Sequence, residues 1–162
     1  MQLSTGLLES LPLCQRVNIG PERIDPMGHM NVRHYMGIFD DAGWEFFTTF
    51  GMTQAFYDDG VGGAFALQHF ICYLAEVREK ETVAVRTRLL GRSAKRIHFM
   101  MFMINESRDN LAATLEALGA YADMKQRRTA PWPADIARQI DQLLERDRAL
   151  GWNAPICGVI KP

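Results

Sequence analysis

Residues 31 to 50 constrain this chain more than any other stretch. Tyr35, Met36, Phe39, Ala42, Gly43, Phe46, Phe47 and Phe50 follow one another in steps of 1, 3, 3, 1, 3, 1 and 3, the spacing of one apolar face on an α-helix. Asp40, Asp41 and Glu45 fall largely off that face. Asn31 is a residue type that caps helix starts, and Gly51 one that ends helices. The run predicts a helix of about five turns. Its aromatic stripe must be covered by another layer, and Gly37, Ala42 and Gly43 are small enough to let that layer come close.

The candidates for that layer are strands. Residues 13–19 (LCQRVNI) alternate roughly. After a short segment that reads as a second small helix (MTQAFYDDG) and a break at GVGG (60–63), four further runs follow: 64–77, 82–90, 96–105 and 111–124. The second of these alternates apolar residues with Arg86 and Arg88, as a half-buried strand does. The others are nearly continuous apolar runs, as expected of strands covered on both faces. The linking stretches REKE, GRSA and ESRDN are short and polar, which predicts an antiparallel meander. Gly119 and the alanines around it predict a place where sheet and helix approach closely. A terminal helix follows, with Ile136, Ile140, Leu143 and Leu144 on one face and Pro133 and Gly151 framing it. The order predicts an α+β fold over a single domain, 1–162. A curved antiparallel five-stranded sheet wraps a long central helix, with a C-terminal helix beyond it. The convex face is expected to be partly bare until another subunit covers it.

Composition removes several function classes. With 48% hydrophobic and 23% charged residues and a net charge of −1, neither disorder nor a broad nucleic-acid footprint is expected. Cys14, Cys72 and Cys157 are an odd number at wide spacings, so no disulfide framework or CxxC metal pattern is present. His29 and His34, five residues apart, do not share a helical face, and no metal site is expected. GVGG lacks the Lys-Ser/Thr of a phosphate loop. The N-terminus makes a poor signal peptide, no run is long and apolar enough to span a membrane, and a soluble cytoplasmic protein is expected.

The chemistry concentrates at DPMGHMNVRHY (25–35). By residue type alone, Asp25 is an Asx-turn residue before Pro26, and Asn31 a plain N-cap. The pattern Asp25, Gly28, His29, Asn31, Tyr35 ahead of a helix resembles hotdog-fold acyl-CoA thioesterases of the 4-hydroxybenzoyl-CoA thioesterase type. The resemblance continues through YLAEVREKETVAVRTRLLGRSAKRIHFMMFMIN and the ending D-x-x-x-R-R…P-x-P, covering roughly residues 13 to 134. It departs at Met30-Asn31, where many relatives carry two asparagines or a different residue.

The resemblance implies hydrolysis of a small acyl-CoA, with Asp25, Gly28, His29 and Asn31 as the catalytic loop. A carboxylate in this position attacks the carbonyl or activates water, and the unpaired amides of the helix start stabilise the oxyanion. It also implies a homodimer or homotetramer. CoA is part of the substrate, and no separate cofactor is expected. Tyr35 is a substrate-binding candidate, although its place on the apolar stripe equally suits packing. Arg88, Arg92, Lys95 and Arg96 surround one hairpin turn, either as solvated edge charge or as a cradle for the CoA phosphates. Arg127 and Arg128 are a second basic group. Trp44, Phe46, Phe50, Phe56 and Tyr57 make the acyl region aromatic. With Asp58 or Asp59 they could receive a short cationic acyl group such as betainyl, since similar thioesterases occur alongside carnitine and betaine catabolism. A non-catalytic acyl-CoA binder would have no need of Asp25. A hotdog dehydratase would want a His–acid pair, and none stands out; His69 and His98 read as core residues.

Overall fold

The structure is a computed structural model that describes residues 3–162. In chain order the elements are α1 (Thr5–Leu8), β1 (Leu13–Asn18), a 3₁₀ turn (Pro21–Arg23), α2 (Val32–Thr48), α3 (Gln54–Asp58), β2 (Gly62–Tyr73), β3 (Thr82–Arg92), β4 (Arg96–Asn105), β5 (Asn110–Asp123), β6 (Arg128–Thr129) and α4 (Ala134–Arg148). The sheet order is β1-β3-β4-β5-β2, with the two-residue β6 also paired to β5.

The long helix starts and stops as its sequence predicts. Asn31 Oδ1 accepts the Arg33 N–H at 3.2 Å, and the Asn31 carbonyl accepts that of His34 at 3.0 Å. At the other end Gly51 adopts φ +99 and donates to the Thr48 carbonyl at 3.1 Å, a left-handed stop that suits glycine.

The meander is corrected. β2 ends at Tyr73, four residues before the apolar run does, and it is paired with β5 at a sheet edge rather than with β3. Residues 74–81 are a connector and not a hairpin, because their backbone groups go to other partners. Leu74 and Ala75 both donate to the Ala112 carbonyl at 2.8 and 3.1 Å, the Val77 carbonyl accepts the Met30 N–H at 2.7 Å, and Lys80 donates to Ile19 at 2.7 Å. A short polar link looks the same in sequence whether it turns back or crosses over. The edge position also explains why the middle of β2 is exposed whereas β4 and β5 are almost wholly buried.

The chain divides into two compact units. The first comprises residues up to Glu45, Ile71–Thr87 and Met101–Leu115. Here Ile38, Phe39 and Ala42 of α2 are buried, and Met101 Cε lies 3.5 Å from where a Cβ on Gly43 would stand. Gly37 serves no such approach: a Cβ there would meet nothing within 4 Å.

The second unit comprises Phe46–Phe70, Arg88–Met100 and Glu116–Pro162. Phe46 meets Phe50 and Phe99 at ring-centroid distances of 5.5 and 5.2 Å. A Cβ on Gly119 would meet Ile97, the Phe65 carbonyl and Phe47 at 3.4–3.7 Å, which is the predicted close approach to the helix. Arg88, His98 and Glu116 are covered in this unit by the chain's own α4 and C-terminal segment. Arg88 donates to the Asp147 and Trp152 carbonyls at 2.9 and 2.7 Å. The Leu89 N–H donates to Asp147 Oδ2 at 2.7 Å.

Candidate functional site

The loop before α2 is tied at both ends. Ile24 and Met30 form an isolated antiparallel bridge, Asp25 donates to the His29 carbonyl at 3.0 Å, and Asn31 donates to that of Arg23 at 2.9 Å. Within the bridge, the Gly28 N–H returns to the Asp25 carbonyl at 2.9 Å, closing a tight turn across Pro26-Met27. Gly28 sits at φ +85, in space where a Cβ would meet nothing. Backbone conformation, not room, calls for glycine there.

Asp25 is the Asx-turn residue that its sequence context predicts: Oδ1 accepts the Met27 N–H at 2.8 Å. That accounts for one oxygen. The other, Oδ2, lies 3.5 Å from His29 Nδ1, and the Asp25 side chain is only 8% exposed against 26% for His29. The turn therefore withdraws a carboxylate from water beside an imidazole. Along the loop, Met27, Gly28, Met30, Asn31, Arg33 and His34 all have acceptors for their amides. Among the described residues, no acceptor meets the N–H of His29 or that of Val32, the first residue of α2. Unpaired amides at and just before a helix start are the donors that meet negative charge.

Tyr35, expected against substrate, is turned inward. It is 4% exposed, and its ring meets Tyr73 at 5.1 Å and 82°. Burial pushes the Tyr35 phenol's pKa up, the nearby Val77 backbone opposes this, and the charges of Tyr73, Glu76 and Glu81 push it further up. The Met30 bond to Val77 and the Tyr35–Tyr73 ring contact thus fasten the loop and the first turns of α2 to the connector and to the end of β2. Nothing local in the sequence signals Val77 or Tyr73 here, because their partners lie about forty residues away in the chain.

The hairpin cluster does not stay together. Arg88 is buried at 7% exposure with its guanidinium 4.1 Å over the Trp152 ring. Burial lowers its pKa, and the nearby Asp147 charge opposes this. Arg92 forms a bidentate pair with Asp141 of α4. Arg88 is engaged inside the fold and Arg92 is paired with Asp141 of α4, so neither guanidinium stands free at the hairpin. Lys95 and Arg96 are exposed, as are Lys125, Arg127 and Arg128. The two turns meet beside the end of β5: Tyr121 donates to the Lys95 carbonyl at 3.0 Å, and Asp123 pairs with Arg128.

A His–acid pair exists after all. His98 Nε2 lies 2.8 Å from Glu116 Oε1, both side chains being buried. The other Glu116 oxygen accepts the Cys157 N–H at 2.6 Å. With both oxygens engaged under the C-terminal segment, the pair fastens that segment and is closed to substrate. The expected aromatic acyl region is also revised, since Phe46 and Phe50 are 1% and 0% exposed and belong to the core. A cavity of about 290 Å³ against α2 is lined by Glu22, Arg23, Arg33, His34 and Asp41 among others; its mixed charges favour neither sign of ligand.

A long helix set against an antiparallel sheet of this strand order, with a carboxylate turn at the helix start, defines an α+β protein of the hotdog fold. The chain belongs to the thioesterase-like superfamily, whose family profile matches residues 19–140. It is 28% identical over 130 residues to a betainyl-CoA thioesterase of Pseudomonas aeruginosa, covering 80% of this chain and 82% of that protein. It is 31% identical over 120 residues to an L-carnitine dehydrogenase/betainyl-CoA thioesterase of Agrobacterium fabrum; the match covers 74% of this chain and 24% of that longer protein. Among solved structures, a Staphylococcus aureus protein in complex with CoA superposes with TM-score 0.78 at 22% identity, over 90% of this chain and 96% of that one.

Proposed function

We infer that this chain hydrolyses the thioester of a short acyl-CoA, taking up water and releasing the free acid and CoA. The observation that carries the reading is a nearly buried carboxylate, Asp25, in the loop that leads into α2, where the His29 and Val32 amides meet no acceptor among the described residues. Oδ1 of Asp25 is held by Met27, which leaves Oδ2 to attack the carbonyl carbon or to draw a proton from water. The negative charge that develops on the carbonyl oxygen is met by the free amides, helped by the positive end of α2. His29 steadies Oδ2, Gly28 permits the turn, and Asn31 fixes the helix start. When the C–S bond breaks, CoA leaves as the thiol or thiolate.

Lys95 and Arg96, with Arg127 and Arg128, supply the charge for the CoA phosphates in place of Arg88 and Arg92. The acyl group carries a quaternary ammonium, a reading supported by the two betainyl-CoA relatives. The enzyme acts in the cytoplasm as a homodimer, or as a tetramer built from such dimers. β2 supports this assembly: it lies at a sheet edge with Leu67 and Phe70 exposed, and an unpaired apolar edge invites a second copy. A non-catalytic binder would carry the desolvation cost of Asp25 for nothing.

The test is a panel of acyl-CoA esters scored by free-thiol release. Hydrolysis of short acyl members at rates well above buffer supports the reading. Stoichiometric binding without thiol release contradicts it.

A further inference from the structure

Tyr73, the last residue of β2, is half exposed, and its ring stands perpendicular to the buried Tyr35 on α2. Tyr35 is four residues past the Asn31 cap, so Tyr73 leans on the first turns of the helix whose first amide, that of Val32, meets no acceptor among the described residues. Three residues further along, Glu76 is also exposed, and its charge acts on the Tyr35 phenol. The next residue, Val77, holds the loop through the Met30 N–H at 2.7 Å. An open aromatic surface and a carboxylate are therefore carried on the segment that fastens the Asp25 loop. Arg78 lies 3.3 Å from Glu76 Oε2, but both side chains are more than half exposed, and such a pair is weak and readily exchanged for another cation.

A quaternary ammonium cannot donate a hydrogen bond. It is recognised by aromatic faces and by diffuse negative charge, and an apolar isostere gains only from the apolar part of the contact. A site for a neutral short acyl chain would have no use for Glu76. We propose that Tyr73 and Glu76 receive the cationic end of the acyl group presented to Asp25 and set the preference for a quaternary-ammonium acyl thioester over a neutral one of the same shape. This rests on the thioester-hydrolase reading above.

The experiment compares betainyl-CoA with tert-butylacetyl-CoA, in which a carbon replaces the ammonium nitrogen. Full-length wild type and the folded variants Tyr73→Leu, Tyr73→Phe and Glu76→Gln are assayed by thiol release, with thermal unfolding as the check on folding. Wild type is expected to favour the cationic ester in kcat/KM by ~10-fold or more, the scale of a partly desolvated cation–aromatic contact joined to a carboxylate. Tyr73→Leu and Glu76→Gln are each expected to bring that ratio several-fold closer to one, while Tyr73→Phe, which keeps the ring, holds it. A wild-type ratio near one, or variants that lower both esters equally, overturns the assignment and leaves the hydrolase reading intact. Failure to hydrolyse either ester or any other member of the acyl-CoA panel overturns the hydrolase reading, and this inference with it.

Discussion

Arg88→Ala separates a structural guanidinium from a phosphate ligand. The side chain is buried and makes two charge-assisted hydrogen bonds, to the Asp147 and Trp152 carbonyls at 2.9 and 2.7 Å. Bonds of this kind contribute roughly 1.5–3 kcal/mol each. Its stacking 4.1 Å over Trp152 adds about 1 kcal/mol. These contributions overlap, and water entering the gap recovers part of the loss, so a net cost of about 3 kcal/mol is expected. For a chain of 162 residues each kcal/mol moves Tm by roughly 2–4 °C, giving a fall of about 6–12 °C. The assays are thermal unfolding and steady-state thiol release below the lowered Tm. The expected pair of results is a large fall in Tm with KM for acyl-CoA within about two-fold of wild type, because no exposed charge is lost. An unchanged Tm with a markedly raised KM would refute this reasoning and return Arg88 to the phosphates.

Replacing Lys95 and Arg96 together by Ala should raise KM about ten-fold with kcat nearly kept, and added salt should act on wild type in the same direction; a flat KM would pass the role to Arg127 and Arg128. Asn31→Ala removes the acceptor of the Arg33 N–H at 3.2 Å and should cost about 1 kcal/mol of stability while lowering kcat, since the same residue ends the loop; unfolding and kinetics on one sample check both halves. Light scattering at micromolar concentration should give at least a dimer, and a stable 18.4 kDa species would contradict the edge pairing proposed for β2.

Local features of this molecule were legible in its sequence. The stripe from Tyr35 to Phe50 gave α2 to within two residues, because helix formation there depends on spacing and on the caps Asn31 and Gly51. The Asp25 turn was readable because its bonds join residues two to four apart. What escaped depends on contacts distant in the chain. Arg88 and Arg92 look like surface charge until α4 brings Asp147 and Asp141, 59 and 49 residues away, against them. His98 and Glu116 are 18 residues apart and meet only because β4 and β5 are neighbours. The position of β2 was not legible because the apolar run continues to Val77 and the link after it, 78–81, is short and polar, and only pairing partners distinguish a crossover from a hairpin. Tyr35 is ambiguous for another reason: an aromatic residue on an apolar stripe suits the core and a ligand equally, and its burial against Tyr73 decides for the core.

The most direct test of the account is the kinetics of Asp25→Asn. Asparagine keeps the oxygen that accepts the Met27 N–H at 2.8 Å, so the turn, the fold and the assembly should survive, as unfolding and light scattering will verify. What disappears is the charge and basicity of the second oxygen, beside His29 at 3.5 Å. With a responsive acyl-CoA, kcat should fall by ~10²-fold or more, the scale of a removed general base or nucleophile, and KM should change little. A folded, correctly assembled Asp25→Asn protein with near wild-type kcat would reduce Asp25 to a turn residue and contradict the mechanism.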